Sequence, residues 1–486
     1  MARVRRYIQP LPEPQARAYW KYIRQNGLLL EYQGHPLQYG HPYVLERSQA
    51  EEIAKAADVA EAIVREEIGR RGGVSGWLID YPTTFGDVLL NTPKINTQLE
   101  SRLKKGYRLP LAYDGIFVSD RGQPTFRVVE VQSAIGYEPW IEELVKAAGH
   151  TPADSEAWYD ISLNAFQRMK CELAGGEDIT VMDTDPFGPT QVDQIGIARA
   201  MGEADSLPIS PLDIHYAPSV GYYYHRYETD PQTGRPVQGR ETGRYRKTEE
   251  RVPIKHVLSR MLQSNLDSLD TLLKDNPAQR KLVLQFLTDP SIDWIWHPSW
   301  QYIIDKATLT LLKDAFEQRN SPLRKHFLPI YGEGERVPPG TYVRKPTNAE
   351  GGAEQAIVMV RAGEEVIAEE DTVYQELFRP YPMRVCLPKT LAEKFHPERR
   401  LRLLKRLHLE PTIAWATVEV RFCAPPYCRD ELQGRFLARV APRHEGRGNL
   451  TYAKTNVGKI QAALYNCIDP NEHELYPFGF APVIVQ

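Results

Sequence analysis

Two carboxylates and one carboxamide have the residue types and the spacing of a set of oxygen ligands for a hard cation. Asp114 lies in one apolar stretch, and Glu130 and Gln132 lie in the next, with the turn-forming residues 119–122 between them. Side chains alternate between the two faces of a strand, so Glu130 and Gln132 share a face. A hairpin that turns within 119–122 places Asp114 opposite Glu130, with the Cβ atoms about 5 Å apart. A divalent cation offsets the repulsion of such a pair, and ligands of this kind suit Mg²⁺; a solvated pair of carboxylates is the alternative.

A second group of residues has the character of a phosphate site. Lys345 ends a predicted strand over 341–346, and a loop with Gly351 and Gly352 leads into a returning strand over 354–360. Glycine lets the backbone approach a phosphate closely and point amide N–H groups at it. A lysine at a strand end is a compact positive charge for the same ligand. A simple surface hairpin is the alternative.

Two further elements have features of a nucleotide site. Lys306 precedes a predicted helix that begins within 304–309, where the positive end of the helix dipole favours phosphate. An ordinary surface lysine is the alternative for this position. The predicted strand over 371–377 stops at a bend over 379–382, and such an edge offers backbone donors and acceptors to an adenine ring.

The elements that must position these residues differ along the chain. Residues 1–100 are predicted to be mainly helical, with a capping box that Ser48 begins and a helix end near Arg70. Residues 179–214 are predicted to form strand, loop and helix in the order of a parallel-sheet unit. Residues 221–252 form a predicted hairpin.

The rest of the chain is predicted to contain helices and strands, and the hairpin over 221–252 has an unusual composition. Residues 254–320 are predicted to be helical, and 337–486 to form strands and loops around a helix at 388–408. The hairpin over 221–252 interleaves tyrosines with arginines and lysines, a pattern that binds single-stranded nucleic acid. Acidic residues dilute that charge, so a solvated hairpin is the favoured interpretation.

The composition narrows the class of protein. The chain has 486 residues, enough for about two or three lobes. Its formal net charge of −3 does not call for a nucleic-acid-binding face. No apolar run approaches the roughly 18 residues that cross a bilayer, and the N-terminus lacks the apolar segment of a secretory signal. Five cysteines without a C-x-x-C pair fit a reduced compartment. We therefore expect a cytoplasmic protein without nucleic-acid or membrane partners.

Short blocks along residues 107–380 resemble, in their order, the circularly permuted ATP-grasp ligases of the glutathionylspermidine synthetase and eukaryotic glutathione synthetase families. The acidic residues come first and the lysines and glycines last, as in a permuted ATP-grasp domain. The blocks that carry the resemblance are Asp114 with Glu130-Val131-Gln132, the acidic loop 183–187, His297-Pro298 with 305–307, 344–346 with Glu350-Gly351, and 374–377.

The resemblance implies an α+β fold. It would have ATP-grasp-like, circularly permuted antiparallel-sheet lobes, an α/β substrate subdomain and a helical N-terminal region. We accordingly divide the chain into a mainly helical region at 1–100, a metal-binding hairpin with flanking helices at 101–178, an α/β subdomain with an inserted hairpin at 179–300, and an ATP-binding lobe with C-terminal strands at 301–486.

The resemblance also implies ligands and the residues that bind them. Mg²⁺ would be held by Asp114, Glu130 and Gln132, with Glu350 as a further candidate ligand. The residues implied for ATP are Lys306, Lys345, Glu350, Gly351 and Gly352 at the phosphates and Gln375, Glu376 and Leu377 at the adenine.

Two departures from the family pattern leave roles open. Gln132 stands where the family has Asn, and Ala112 stands where it has an Arg that binds the transferring phosphoryl group. Arg344, Arg421 and Arg439 are the candidate catalytic replacements, and the sequence does not choose among them. Arg421 and Arg439 are equally candidates for binding the acid substrate or for exposed strand positions.

The implied reaction joins a carboxylate to an amine. The carboxylate attacks the γ-phosphoryl group of ATP, and the amine then displaces phosphate from the acyl phosphate. The substrates would be small molecules or peptides, and a homodimer is the family-level expectation. Ser133 and Glu138, at the end of the metal strand and in the loop after it, are predicted to face the substrate. The alternatives are a nucleotide-binding protein without ligase activity, which Ala112 favours, and, ranked last, an RNA-binding protein that uses the 221–252 hairpin.

Overall fold

The computed structural model of the chain describes a defined set of residues. Glu138, Glu350, Gly351 and Gly352 lie outside it, as does nearly all of the predicted helix at 388–408. The described residues are 7–8, 13–25, 31–32, 35–36, 43–78, 93–120, 123–133, 144, 166–188, 191–231, 234–239, 245–261, 269, 271–327, 329–347, 356–378, 381, 383–386, 402, 406, 413–424, 436–442 and 479–485.

The described residues form a mixed fold of helices and mainly antiparallel sheets. Within them, no helix has both the length and the apolar character needed to span a membrane. The helices are α1 (Glu13–Gln25), α2 (Arg47–Arg70), α3 (Val74–Leu78), α4 (Pro93–Lys104), α5 (Gln191–Met201), α6 (Pro277–Thr288) and α7 (Thr308–Gln318), with a helix over 166–174 and 3₁₀ turns at Pro211–Asp213, Pro298–Ile303 and Pro322–His326.

The strands come from all parts of the chain. They are β1 (Tyr7–Ile8), β2 (Glu31–Tyr32), β3 (His35–Pro36), β4 (Tyr43–Leu45), β5 (Leu111–Asp120), β6 (Gln123–Ser133), β7 (Ile179–Met182), β8 (His215–Ala217), β9 (Gly221–Tyr227), β10 (Lys247–Pro253), β11 (His256–Ser259), β12 (Asp293–Trp296), β13 (Ile330–Tyr331), β14 (Arg336–Val337), β15 (Gly340–Pro346), β16 (Ala356–Val360), β17 (Val366–Ile367), β18 (Thr372–Glu376), β19 (Met383–Cys386), β20 (Ile413–Ala424), β21 (Phe436–Pro442) and β22 (Gly479–Val485).

Helix α2 buries an apolar stripe, and it begins earlier than predicted. Its first helical residue is Arg47, and the side chain of the N-cap residue Glu46 makes no capping bond. Because the Glu46 carbonyl already accepts the first helical hydrogen bonds, Ser48 lies inside the first turn and the predicted capping box is wrong. Past the helix end, Gly73 has φ 95° and donates its N–H to the Ile68 carbonyl at 2.9 Å, a conformation that favours glycine.

An eight-stranded sheet contains the hairpin predicted to bind metal. Its strands run in the order β1-β19-β20-β21-β22-β4, and β5 pairs with both β20 and β6. Asp114 on β5 lies opposite Glu130 on β6, as predicted. The hydroxyl of Tyr113 donates to the Ala57 carbonyl of α2 at 3.0 Å, so the face that carries Tyr113 packs on this helix. Asp114 lies on the alternate face.

A β-bulge lies beside Asp114 in this hairpin. The register shifts between Asp114 and Gly115, so Val129 on β6 has no partner on β5. A Cβ atom on Gly115 would lie 2.7 Å from the carbonyl oxygen of Arg127, which is too close for any other residue without a backbone shift. Gly115 therefore allows the bulge that sets the environment of Asp114.

A three-stranded parallel sheet, in the order β12-β11-β7, confirms the strand and helix predicted within 179–214. The return strand predicted at the end of that segment is reduced to a single bridge between Met182 and Ile209, followed by a 3₁₀ turn. The helical prediction for 254–320 is wrong in part, since β11 and β12 lie there beside α6 and α7. Short, fully buried apolar runs have no periodicity that separates a strand from a helix.

Two smaller antiparallel sheets confirm the remaining predicted hairpins. Strands β9 and β10 form the hairpin predicted at 221–252, with β8 on the other side of β9. A four-stranded sheet, in the order β13-β18-β15-β16, contains the predicted strand that carries Lys345 and the predicted strand within 371–377.

Candidate functional site

Asp114 lies at the centre of an ion network on one face of the eight-stranded sheet. Its carboxylate accepts two hydrogen bonds from Arg421, with Nε to Oδ1 and Nη2 to Oδ2 both at 2.6 Å. Arg439 donates from Nη2 to Oδ2 at 3.1 Å and also contacts the carboxylate of Glu419. Gln132 donates from Nε2 to the same Oδ2 at 3.2 Å. Both oxygens of Asp114 are thus engaged by protein donors.

Strand register brings these side chains to one face. Asp114 lies opposite Arg421 on β20, and Glu419 on β20 lies opposite Arg439 on β21. Residues two apart along a strand share a face, so Glu419 and Arg421 project the same way. Asp114 is 1% exposed and Glu419 is 4% exposed. Opposite charges on neighbouring strands therefore neutralise one another largely out of contact with water.

The two arginines set the ionisation of Asp114. Burial is the largest influence and acts to raise the pKa of Asp114, because it disfavours the charged carboxylate. The opposing effects of Arg421 and Arg439 together outweigh burial, so the pKa lies below its usual value. Asp114 is therefore ionised at neutral pH, with the two guanidinium groups as its counter-ions.

The surroundings of Asp114 do not fit the magnesium site that the resemblance implies. Gln132 turns its Nε2 towards Asp114, and its Oε1 lies 3.4 Å from Nη2 of Arg421. Glu130 is half-buried and makes no side-chain hydrogen bond or ion pair with another described residue. In the described ranges, no group of three or more His, Cys, Asp or Glu side chains is arranged to hold a metal ion. Asp114, Glu130 and Gln132 are therefore near one another, but both oxygens of Asp114 and the Oε1 of Gln132 face arginine donors.

Lys345 is a buried cation with neutral hydrogen-bond partners. Its Nζ donates to Oε1 of Gln375 at 2.6 Å and to the carbonyl oxygen of Val129 at 3.0 Å. Val129 is the bulged residue of β6, so its carbonyl has no partner on β5. The bulge beside Asp114 thus provides a contact between the four-stranded sheet and the eight-stranded sheet.

A second lysine and two carboxylates act on Lys345. Burial is the largest effect and lowers the pKa of Lys345 to about 8; Glu130 and Asp114 oppose this shift, whereas Lys306 adds to it. Lys306 is 7% exposed and lies two residues before α7. Its backbone N–H donates to the Thr347 carbonyl at 3.5 Å, two residues beyond Lys345. Two buried lysines from separate segments therefore converge beside the face that carries Asp114.

The strand predicted to bind adenine is paired on both sides. Strand β18 lies between β13 and β15. The N–H of Glu376 donates to the Pro329 carbonyl at 3.0 Å, and the N–H of Leu377 donates to the Thr341 carbonyl at 2.8 Å. These two donors are therefore not offered to a ligand, contrary to the expectation from sequence. The side chain of Gln375 faces Lys345, and a role of these three residues at an adenine stays a prediction.

Of the three candidate arginines, the structure brings Arg421 and Arg439 to Asp114 and leaves Arg344 outside. Arg344 precedes Lys345 on β15, and consecutive residues of a strand face opposite sides. The Arg344 side chain is 44% exposed, and its Nη2 lies 3.5 Å from the carboxylate of Glu369. Arg344 therefore points away from the two buried lysines.

Ser133 is also placed away from the ion network. It pairs with Leu111, so strand alternation puts it on the face of the sheet that packs on α2. Its Oγ is buried and has no hydrogen-bond partner in the described part of the chain. The substrate role of Ser133 stays a prediction.

Two functional features were missed by the sequence analysis. Glu419 pairs with Arg439, and the period-two alternation of Glu419 with Arg421 could have placed both on one face. The Val129 carbonyl, which accepts from Lys345, has a weaker signal in the sequence, since Gly115 alone indicates a close approach of the two strands at the bulge.

Comparison with known proteins assigns the chain to no family. No protein-family model matches it, and no curated protein matches it. Among solved structures it is similar to a glutathione synthetase-like effector from Globodera pallida in its apo form, with 13% sequence identity, a TM-score of 0.42, and coverage of 88% of this chain and 89% of that chain. At this TM-score the likeness establishes neither a common fold nor a common activity.

Proposed function

We propose that the chain is an ATP-dependent ligase that joins a carboxylate to an amine through an acyl phosphate, with an ATP-grasp-like, circularly permuted fold. The observation that carries the proposal is the convergence of two buried lysines, Lys306 and Lys345, beside the charged face of the eight-stranded sheet. The ordered sequence blocks that include these lysines add support.

Two buried ammonium groups near each other favour the binding of an anion. Burial and the positive charge of Lys306 both disfavour the charged form of Lys345. Lys345 donates to an amide oxygen and a carbonyl oxygen, neither of which neutralises its charge. A polyphosphate bound beside Lys306 and Lys345 would offset both effects, because ammonium–phosphate hydrogen bonds are strengthened by charge on both partners.

The proposed reaction has two steps, in which the lysines stabilise charge and do not themselves react. A carboxylate oxygen of the substrate bonds to the γ-phosphorus of ATP as the bond from that phosphorus to the β–γ bridging oxygen breaks, which gives an acyl phosphate and ADP. An amine nitrogen then bonds to the acyl carbon, the bond from that carbon to the phosphate oxygen breaks, and the nitrogen releases a proton to solvent. Lys306 and Lys345 balance the negative charge on the phosphate oxygens.

No step is assigned to Mg²⁺, because both oxygens of Asp114 accept protein hydrogen bonds and Gln132 turns its amide nitrogen towards them. The acid and amine substrates would be small molecules or peptides. A cytoplasmic setting is part of the proposal and is supported by Cys171, which is a free thiol.

Calorimetric titration with ATP tests the nucleotide site. We expect the wild type to bind ATP and Lys345→Ala to bind at least about tenfold more weakly, since a charge-assisted contact is lost. The matched control is Lys313→Ala on α7, which removes a lysine that also donates to a backbone carbonyl, that of Ile330, at 3.0 Å. Absence of ATP binding in the wild type, or equal losses in the two variants, would contradict a phosphate site at Lys345.

A second candidate function, nucleotide binding without ligase activity, is favoured by the ion network itself. Arg421 and Arg439 are paired with Asp114 and Glu419, which reduces the positive charge that they bring to a transferring phosphoryl group. Phosphate release that requires both an added acid and an added amine would support the ligase. ATP binding without such turnover, across a panel of acid and amine pairs, would support the second candidate.

A further inference from the structure

Asp114 lies between two arginines, Arg421 and Arg439, in the place where a divalent cation was expected. We infer that Asp114 is a positioning residue for these two guanidinium groups, and that they form part of an anion site that binds a phosphate group without a divalent cation on Asp114. The inference rests on the proposed function for the nature of the anion, a nucleotide phosphate. The role of Asp114 can be tested separately from it.

Charge disfavours a cation bound directly to Asp114. The single negative charge of this residue faces two guanidinium groups within 3.1 Å. A divalent cation at the same carboxylate would be repelled by both groups, and the repulsion is poorly screened at a buried position. The cation would also have to displace the bidentate pair with Arg421, which is among the stronger hydrogen-bond arrangements in proteins. Because Glu419 pairs with Arg439, two carboxylates already offset the charge of the two guanidinium groups before any ion is bound.

Arg439, held in this way, keeps a donor for an anion. A guanidinium has about five N–H donors in one plane. Arg439 uses Nη2 for both Asp114 and Glu419, while its Nε is buried and has no hydrogen-bond partner among the described residues. Its side chain is 23% exposed, whereas that of Asp114 is 1% exposed. Arg439 is therefore fixed in position by carboxylates and still reaches solvent.

The arginines and the two buried lysines border one region of the protein. The charge of Asp114 acts on Lys345, whose Nζ bonds the Val129 carbonyl on the strand that pairs with β5. A phosphate chain placed between the eight-stranded and four-stranded sheets would lie near positive charge from both. The basic side chains that border this region are Lys306, Lys345, Arg421 and Arg439.

Titration with Mn²⁺, used in place of Mg²⁺, tests the absence of a metal on Asp114. The proteins compared are the wild type, Asp114→Asn and a matched control, Asp120→Asn. Asp120 lies on the same strand and pairs with Arg127 at 3.3 Å nearer the surface. We expect the three proteins to give the same Mn²⁺ isotherm by calorimetry. A Mn²⁺ site that is present in the wild type and in Asp120→Asn but lost in Asp114→Asn would overturn the inference.

Unfolding by urea in the presence of EDTA tests the positioning role. If Asp114 holds the arginines, Asp114→Asn lowers the urea midpoint, because two buried guanidinium groups lose a counter-ion. If Asp114 were a metal ligand, the same change in EDTA would leave the midpoint unchanged or raise it, since it would remove the repulsion of Glu130. The urea midpoint of the double variant Asp114→Asn/Arg421→Gln should lie above that of Asp114→Asn. If Asp114→Asn does not fold, the positioning role predicts that the double variant does fold.

ATP titrations with either EDTA or Mg²⁺ test the anion site. For the wild type we expect dissociation constants within about threefold of each other in the two conditions. Arg439→Gln should bind ATP about tenfold more weakly in both conditions, because one charge-assisted hydrogen bond is lost. Asp114→Asn should weaken ATP binding by the same factor in both conditions. A folded variant that lacked only a structural contact would keep the affinity of the wild type.

ATP binding that requires Mg²⁺ in the wild type, and loses that requirement in Asp114→Asn, would overturn the inference. Absence of ATP binding in both conditions would remove the proposed function and the anion site together, while the Mn²⁺ and urea results would still decide what Asp114 holds.

Discussion

Two buried charge clusters meet in this protein, and they differ in whether each charge has an opposite partner. Asp114 is paired with Arg421 and Arg439 through hydrogen bonds of 2.6–3.1 Å. Lys345, which is also buried, has Gln375 and a backbone carbonyl as its hydrogen-bond partners, and the charge of Glu130 acts on it without a hydrogen bond. A balanced network stabilises the arrangement of its own strands, whereas an unbalanced buried cation favours an anion from outside. The difference indicates that the first cluster holds two arginines in place for the anion, while the second presents the less balanced positive charge that attracts it.

Breaking the balanced cluster should have the largest effect on stability. Arg421→Ala leaves Asp114 buried without its bidentate partner, and we expect a loss of about 3–5 kcal/mol in the free energy of unfolding. Urea unfolding measures this loss. The double variant Arg421→Ala/Asp114→Ala should lose less than the single variant, because it removes both charges. A loss below about 1 kcal/mol in the single variant would indicate a solvated pair of the kind found on protein surfaces.

The unbalanced cluster should be visible in the pH dependence of stability. The pKa of Lys345 in the folded chain is about 8, compared with about 10.4 for an unperturbed lysine. The unfolded chain binds a proton between these two pH values that the folded chain does not bind, so stability rises with pH across this window. The expected rise from this residue is about 3 kcal/mol.

A comparison with Lys345→Met isolates this contribution from the other groups that titrate in the same window. Urea unfolding of the two proteins at pH 7, 8, 9 and 10 gives the difference in free energy at each pH. The difference should grow with pH in favour of the wild type. A constant difference would indicate that Lys345 titrates as an ordinary lysine.

Giving Lys345 a charged partner should make the two clusters alike. In Gln375→Glu, a carboxylate oxygen would replace the amide oxygen that now lies 2.6 Å from Nζ. The carboxylate should raise the pKa of Lys345 and weaken ATP binding by about tenfold or more, which corresponds to at least about 1.4 kcal/mol. Calorimetry measures the affinity, and Gln375→Met serves as the control that removes the amide without adding charge. Unchanged ATP affinity in Gln375→Glu would mean that the ligand does not sense the charge of Lys345.

The sequence predicts the elements of this site better than the contacts between them. The hairpin that places Asp114 opposite Glu130 and the strand that carries Lys345 follow from local signals, namely period-two alternation and turn residues. The bond from Arg421 to Asp114 joins residues 307 positions apart. No local pattern states which strand lies beside β5, so the choice among the candidate arginines needed the register of the folded sheet. For the same reason the sequence predicts helix where the short buried strands within 254–320 lie.

The smallest effect is expected from Arg344, although it is the direct neighbour of Lys345. Its side chain is 44% exposed and lies 3.5 Å from Glu369, so Arg344→Ala should change the free energy of unfolding by less than about 1 kcal/mol. ATP affinity should equal that of the wild type, because alternation along β15 turns Arg344 away from Gln375 and the bulge at Val129. Calorimetry beside Lys345→Ala measures this contrast between adjacent residues. If Arg344→Ala lost ATP affinity while Lys345→Ala kept it, the ligand would bind the outer face of the four-stranded sheet, and the charge that attracts it would be a solvated arginine and not a buried lysine.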